Sequence, residues 1–179
     1  MDNRIRANCM LGTPYPQICV EGKNIGYARL LSIPYAGMGG ELAAILSYTY
    51  GHIVTTESDA RLSELLICIA ENEMRHFEIL GRLIFMLGGD PRFCSADSRG
   101  CFSASELGYY ERPDKILRAS VLAEQNAIIM YRDISDKIND RCIKEILARI
   151  ILDEEHHLKL FSDMQYMPNV RKTGGNTKV

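Results

Sequence analysis

Apolar residues through the middle of the chain recur at intervals of three and four. Over residues 58–87 the series runs Leu62, Leu65, Leu66, Ile69, Phe77, Leu80, Leu83, Ile84, Leu87. That spacing lays one stripe along a helix of about eight turns. Ser58 stands where an N-cap belongs, and "GGDP" at 88–91 supplies the glycine and proline that stop a helix. Three further stretches show the same period. Residues 38–55 aim Met38, Leu42, Ile45, Tyr48 and His52 inward. Residues 113–138 aim Leu117, Val121, Ile128, Tyr131, Ile134 and Ile138, with Pro113 suited to the first turn. After a tight "NDR" turn at 139–141, residues to about Met164 aim Leu147, Ile150, Ile151, Leu158 and Phe161.

No segment alternates as a strand would. Residues 88–112 form a long connection, and Ser103 and Glu106 have the spacing of a capping box, so a short helix is expected there. The order is helix pair, long link, helix pair. Helices joined by short turns lie antiparallel, and a long link lets the second pair start from the far end. The predicted fold is therefore all-α, a four-helix bundle of two antiparallel pairs with one long crossover. Residues 1–26, broken by Gly12, Pro14, Pro16, Gly22 and Gly26, read as an irregular N-terminal arm; 27–166 hold the bundle; 167–179 are polar and expected to be a mobile tail.

Every stripe is interrupted by ionisable residues at inward positions. The first helix carries Glu41. The second carries Glu73 and His76, an E-x-x-H. The third carries Glu124, and the fourth carries Glu154 and His157, a second E-x-x-H. Residues i and i+3 share a helix face, so each such pair can grip one ion. The halves echo one another: Tyr48 lies seven residues after Glu41, and Tyr131 lies seven after Glu124. Four carboxylates in one dry interior repel one another and lose hydration, at several kcal/mol per ion. Two divalent cations carry the charge that balances them. Carboxylate with imidazole suits Fe or Mn, not Mg or Ca.

Neighbouring ionisable groups fall elsewhere on the helical wheel. Glu71 and Glu155 are expected in solvent. Asp153 and His156 have ligand spacing but lie off the stripe, and His52, about three turns from Glu41, reads as a core or interface residue.

Composition narrows the picture little further. The net charge of −2 gives no electrostatic ground for a nucleic-acid partner or a membrane surface. No apolar run reaches the roughly 20 residues of a membrane span, and the N-terminus lacks an apolar block of signal-peptide length. None of the six cysteines forms a C-x-x-C pair, which argues against a zinc ribbon or a rubredoxin-type iron site. The expectation is free thiols in a reducing, cytoplasmic setting, with Cys94 and Cys101, flanking a loop, as the exception that could pair.

"ENEMRHFEILGRLI" and "ILDEEHHLKLF" resemble helices of rubrerythrin and bacterioferritin, and "GGELAAILSYTY" resembles the first bundle helix of manganese catalases and related spore-coat proteins. The chain thus resembles the ferritin-like superfamily of dinuclear carboxylate proteins over about residues 36–164. That family's pattern is a glutamate from each of two helices and Glu-x-x-His from each of the other two. The resemblance implies two Fe or two Mn ions, with Glu41 and Glu124 as terminal carboxylates and Glu73 and Glu154 as carboxylates that either bridge the ions or stand just outside their ligands, acting with the metals in catalysis. It further implies His76 and His157 as imidazole ligands, with Tyr48 and Tyr131 hydrogen-bonding the carboxylates. Two departures stand out: there is no rubredoxin-like four-cysteine domain, and Ala127 occupies the position where rubrerythrins carry an extra glutamate.

The function this resemblance implies is an oxidoreductase acting on hydrogen peroxide or dioxygen, as a rubrerythrin-like peroxidase served by a separate electron-donor protein or as a manganese catalase. The alternatives are a ferroxidase or iron-storage protein of bacterioferritin type, and a spore-coat-like structural protein that keeps a metal site. A homo-oligomer, at least a dimer, is implied in each case.

Overall fold

A computed structural model describes residues 9–97 and 101–166. They form five α-helices: α1 (Ile25–Ala36), α2 (Glu41–Thr55), α3 (Ala60–Met86), α4 (Pro113–Lys137) and α5 (Arg141–Tyr166), with one 3₁₀ turn at Ala104–Glu106. Both α1 and α2 pack on α3, while α4 packs along α5. The two short helices are thus one interrupted rod, and the molecule is the four-rod bundle the pattern predicts. The predicted tail, 167–179, lies outside the described residues.

The interruption was not legible from periodicity. The sequence reading leaves 1–26 irregular and starts the first helix at 38, whereas α1 starts at Ile25, capped by the Asn24 side chain accepting from the Tyr27 N–H at 3.1 Å. Pro34 inside α1 and the "GMGG" that follows disguise the element. Those glycines make the break. A Cβ on Gly37 would lie 2.5 Å from the Ile33 carbonyl oxygen, one on Gly40 would lie 2.4 Å from that of Pro34, and Gly39 has φ +76°. Only glycine avoids these clashes and adopts that φ cheaply. Met38, expected inward, is 80 % exposed at the tip of the break. As a result Glu41 becomes the first residue of α2, where the helix dipole favours a carboxylate. Together Ile25–Thr55 are long and apolar enough to count as a membrane-span candidate by length and composition, but the stretch is broken here and packs against α3.

The core divides into two clusters. One joins Leu31 of α1 with Leu83 of α3, Ile138 after α4, and Ile146 of α5. The other joins Tyr48 of α2 with Leu66 of α3, Ile116 of α4 and Phe161 of α5. The C-terminal ends of α3 and α4 therefore meet the N-terminal ends of α1 and α5, which makes each pair antiparallel. The link from α3 to α4 must run the length of the bundle. Tyr35 anchors its start, donating to the Pro91 carbonyl at 2.9 Å.

Smaller expectations are corrected. Asp59, not Ser58, caps α3, accepting from the Leu62 N–H at 3.1 Å. At the predicted capping box, Ser103 accepts from Ser105 and the turn ends after three residues. An isolated antiparallel bridge joins Cys94 and Cys101. The larger correction concerns the thiols. All six cysteines are paired, Cys9–Cys68, Cys19–Cys142 and Cys94–Cys101. The first two sew the N-terminal arm to α3 and to α5. Sequence spacing cannot show pairings of this kind, because the partners are 59 and 123 residues apart.

Candidate metal centre

Between the two apolar clusters lies a layer of six ionisable side chains. Glu41, Glu73, His76, Glu124, Glu154 and His157 are each no more than 4 % exposed. They fall into two overlapping groups of four, Glu41–Glu73–His76–Glu154 and Glu73–Glu124–Glu154–His157, with potential ligand atoms within 4.8 Å of one another in each. Glu73 and Glu154 belong to both groups.

Both imidazoles turn Nδ1 toward the acids. His76 Nδ1 lies 2.8 Å from Glu73, 3.0 Å from Glu154 and 3.7 Å from Glu41. His157 Nδ1 lies 3.0 Å from Glu73, 3.4 Å from Glu154 and 3.9 Å from Glu124. The far nitrogens are held from the opposite helix. His76 Nε2 on α3 sits 3.2 Å from Asp153 on α5, and His157 Nε2 on α5 sits 3.0 Å from the Asn72 amide on α3. The atom of Asn72 that faces Nε2 is the amide nitrogen Nδ2; a flip of the amide would present its oxygen to an Nε2–H, the two ends being interchangeable.

The tyrosines also work crosswise. Tyr48 on α2 donates to Glu124 on α4, and Tyr131 on α4 donates to Glu41 on α2. The seven-residue spacing puts each tyrosine on its own glutamate's face, but its hydroxyl reaches the glutamate of the other helix.

The electrostatics of this layer are those of crowded acids. Burial, then the charges of Glu73 and Glu154, hold Glu124 well above the usual carboxylate range. Burial and Glu73 do the same to Glu41. Burial and Glu154 push Glu73 up as well, but His157 and His76 outweigh them and its net shift is downward. Glu154 is also lowered, burial being overcome by the two imidazoles. Burial disfavours a charged His157, yet Glu73 and Glu154 raise it to about 9, and Glu154 and Glu41 raise His76 in the same way.

Three findings went unread in the sequence. Asp153, expected off the stripe, is 1 % exposed. Its inward turn is stabilised by Arg149 at 2.6 Å and by Tyr15, which donates to it from the N-terminal arm. The arm covers this side of α5, so a wider arc of the helix is buried than its apolar stripe announces. Asn72 shows no signal as a neutral residue, and Tyr15 comes from a segment without periodicity. Other expectations hold: Glu71 and Glu155 are exposed, and half-buried His52 bonds Ser63 at the α2–α3 turn, away from the acids.

The donor set fits a pair of metal ions. Glu73 Oε1, Glu154 Oε1 and His157 Nδ1 are buried and make no well-directed hydrogen bond; they meet one another and His76 only as ion-pair contacts of 3.0 Å or more, an arrangement that leaves lone pairs for a cation to engage. A small cavity of about 20 Å³ reaches the layer between α2 and α4, lined by the four glutamates and by Gly39, Gly40, Ala44, Ala123, Ala127 and Met130. Small residues at the helix break and along α4 leave this opening.

Residues 37–165 match the ferritin-like domain, well over half of the chain. The chain belongs to the ferritin-like family. A curated relative, a probable manganese catalase from Clostridium acetobutylicum, is 24 % identical, over 89 % of this chain and 78 % of its own length. Among solved structures, the manganese catalase KatB from Anabaena aligns with a TM-score of 0.78 at 23 % identity, covering 95 % of this chain and 85 % of that one. A Rhodobacter capsulatus bacterioferritin, described as having a metal-free dinuclear site and haem iron, aligns with a TM-score of 0.65 at 20 % identity over 80 % of this chain and 86 % of that one. The described residues of this ferritin-like chain build a helical bundle, and its six buried donors sit between the bundle's two apolar clusters.

Proposed function

We propose that this ferritin-like protein is a dinuclear manganese or iron oxidoreductase that disproportionates hydrogen peroxide. The observation that carries the metal reading is the overlap of the two four-residue groups at Glu73 and Glu154. Shared carboxylates serve two ions at once, and four acids with two imidazoles balance two divalent charges. On this reading Glu41 and Glu124 would each serve one ion, and His76 and His157 would bind through Nδ1, the nitrogen that faces the acids.

Bound Mn or Fe supplies oxidation and reduction by one peroxide and then another, and a polarising charge on both peroxide oxygens. The chain's own residues do the rest. Glu73 and Glu154 line the cavity, so peroxide entering it would arrive beside the carboxylates common to both groups of donors. Tyr48 and Tyr131 hold Glu124 and Glu41 in one orientation. The cavity beside Gly40 and Ala127 is small, about 20 Å³, which suits a substrate as small as peroxide.

Disproportionation balances without an outside reductant, since one peroxide gives up the electrons the other accepts. The likeness to manganese catalases over most of the chain supports this choice. The test is oxygen release from peroxide by manganese-loaded protein without a reductant. Peroxide consumption that needs a reductant would point to a peroxidase. Rapid Fe(II) oxidation by dioxygen in a closed multi-subunit shell would point to iron handling. Metal without turnover would point to a structural role. The pairing of all six cysteines removes the ground on which a reducing compartment was expected.

A further inference from the structure

The two halves of the centre are built alike but supported differently. His157 lies 81 residues after His76, Glu154 the same distance after Glu73, and Asp153 the same distance after Asn72. At equivalent places, then, one imidazole leans on a carboxylate and the other on a neutral amide. A hydrogen bond to a carboxylate is about twice as strong as one between neutral groups. It also makes the ring a better donor at its other nitrogen.

The carboxylate is itself held by the arm. Tyr15 donates to the same Asp153 oxygen that faces His76 Nε2. Two guanidinium groups, of Arg75 and Arg149, pack over the Tyr15 ring, each 4.3 Å from its centroid. Buried Arg149 in turn donates to the Thr13 carbonyl at 3.0 Å. Disulfides at Cys9 and Cys19 pin the arm on either side of Tyr15. Nothing comparable acts on Asn72 among the described contacts.

We infer that Tyr15 is a positioning residue for the His76 half of the centre, and that this half binds its ion more tightly than the His157 half. The inference rests on the reading that both halves hold metal. Tyr15 makes no hydrogen bond to a ligand, although its ring stands 6.2 Å from that of His76; with Arg149 on the other oxygen it holds Asp153, which aims His76 Nδ1.

Calorimetric titration of metal-free protein with Mn(II), disulfides intact, tests this. The wild type should take up two ions with separable affinities. Tyr15→Phe keeps the ring against the arginines and should weaken the tighter site about tenfold while sparing the other. Asp153→Asn should weaken the same site. Single-half variants locate the effect. In His157→Ala, Tyr15→Phe should still cost about tenfold; in His76→Ala it should cost nothing. Equal affinities in the wild type, equal weakening of both sites, or no weakening by either variant would overturn the inference and leave the metal reading standing. A wild type that binds no Mn(II) would overturn the metal reading and this inference with it.

Discussion

Tyr131 on α4 donates its hydroxyl hydrogen across the bundle to Glu41, the first residue of α2. Its counterpart Tyr48 on α2 makes the reciprocal bond to Glu124 on α4. These two contacts tie together helices that otherwise touch little. Each serves a carboxylate with almost no access to water. Removing the hydroxyl strands a buried oxygen, at about 1–3 kcal/mol. Tyr131→Phe and Tyr48→Phe should therefore lower stability by similar amounts in this range, read from urea unfolding of metal-free protein. A loss under about 0.5 kcal/mol for both would mean the bonds are not part of the native state.

The pH dependence of the metal-free protein should be unusual. His157 is raised from an ordinary 6.5 to about 9, so its contribution is fully present below pH 6.5 and lost as pH rises through about 9. His76, Glu41 and Glu124 are also raised, and each loses its contribution as pH rises through its folded value. Glu73 and Glu154 are lowered; their contribution is present above about 4.5 and lost as pH falls, outside this window. Thermal stability should thus fall between pH 6.5 and 9. Metal must displace the protons these ligands hold, so Mn(II) affinity should climb over the same interval. Melting curves and Mn(II) titrations at pH 6, 7.5 and 9 check both trends.

The disulfides should differ in weight. Cys19–Cys142 closes a loop spanning 123 residues, against 7 for Cys94–Cys101. Replacing the first pair by serine should cost about 2–4 kcal/mol, and replacing the second pair less. Denaturant midpoints under non-reducing conditions give the comparison.

Helix geometry at Gly40 should be intolerant of a side chain. A Cβ there meets backbone oxygens of Pro34 and Ile33 at 2.4 and 2.9 Å, and backbone cannot swing aside. Gly40→Ala should shift the start of α2, displace Glu41, and lower metal affinity tenfold or more, by analogy with the loss of a supporting contact. Unchanged Mn(II) binding in this variant would show that Glu41 does not depend on the break.

What the sequence made legible was whatever repeats. Helices α2 to α5 follow from apolar spacing, and the six buried donors stand out because acids and imidazoles interrupt otherwise apolar stripes. What it hid was set by non-local contact or by a single neutral residue. α1 is masked by Pro34 and the glycines. Asp153 is buried only because the arm lies over it, and Asn72 supports His157 without any charge to announce it. The pairing of Cys9 with Cys68, and of Cys19 with Cys142, depends on where an aperiodic arm docks, which no local pattern encodes.

The count of metal ions per chain tests the central claim most directly. Elemental analysis of protein purified under native conditions should find two Mn or Fe per chain, and Glu73→Ala should lose both, because Glu73 belongs to both groups of donors. A wild type without transition metal, or a Glu73→Ala protein that keeps two ions per chain, would contradict the account.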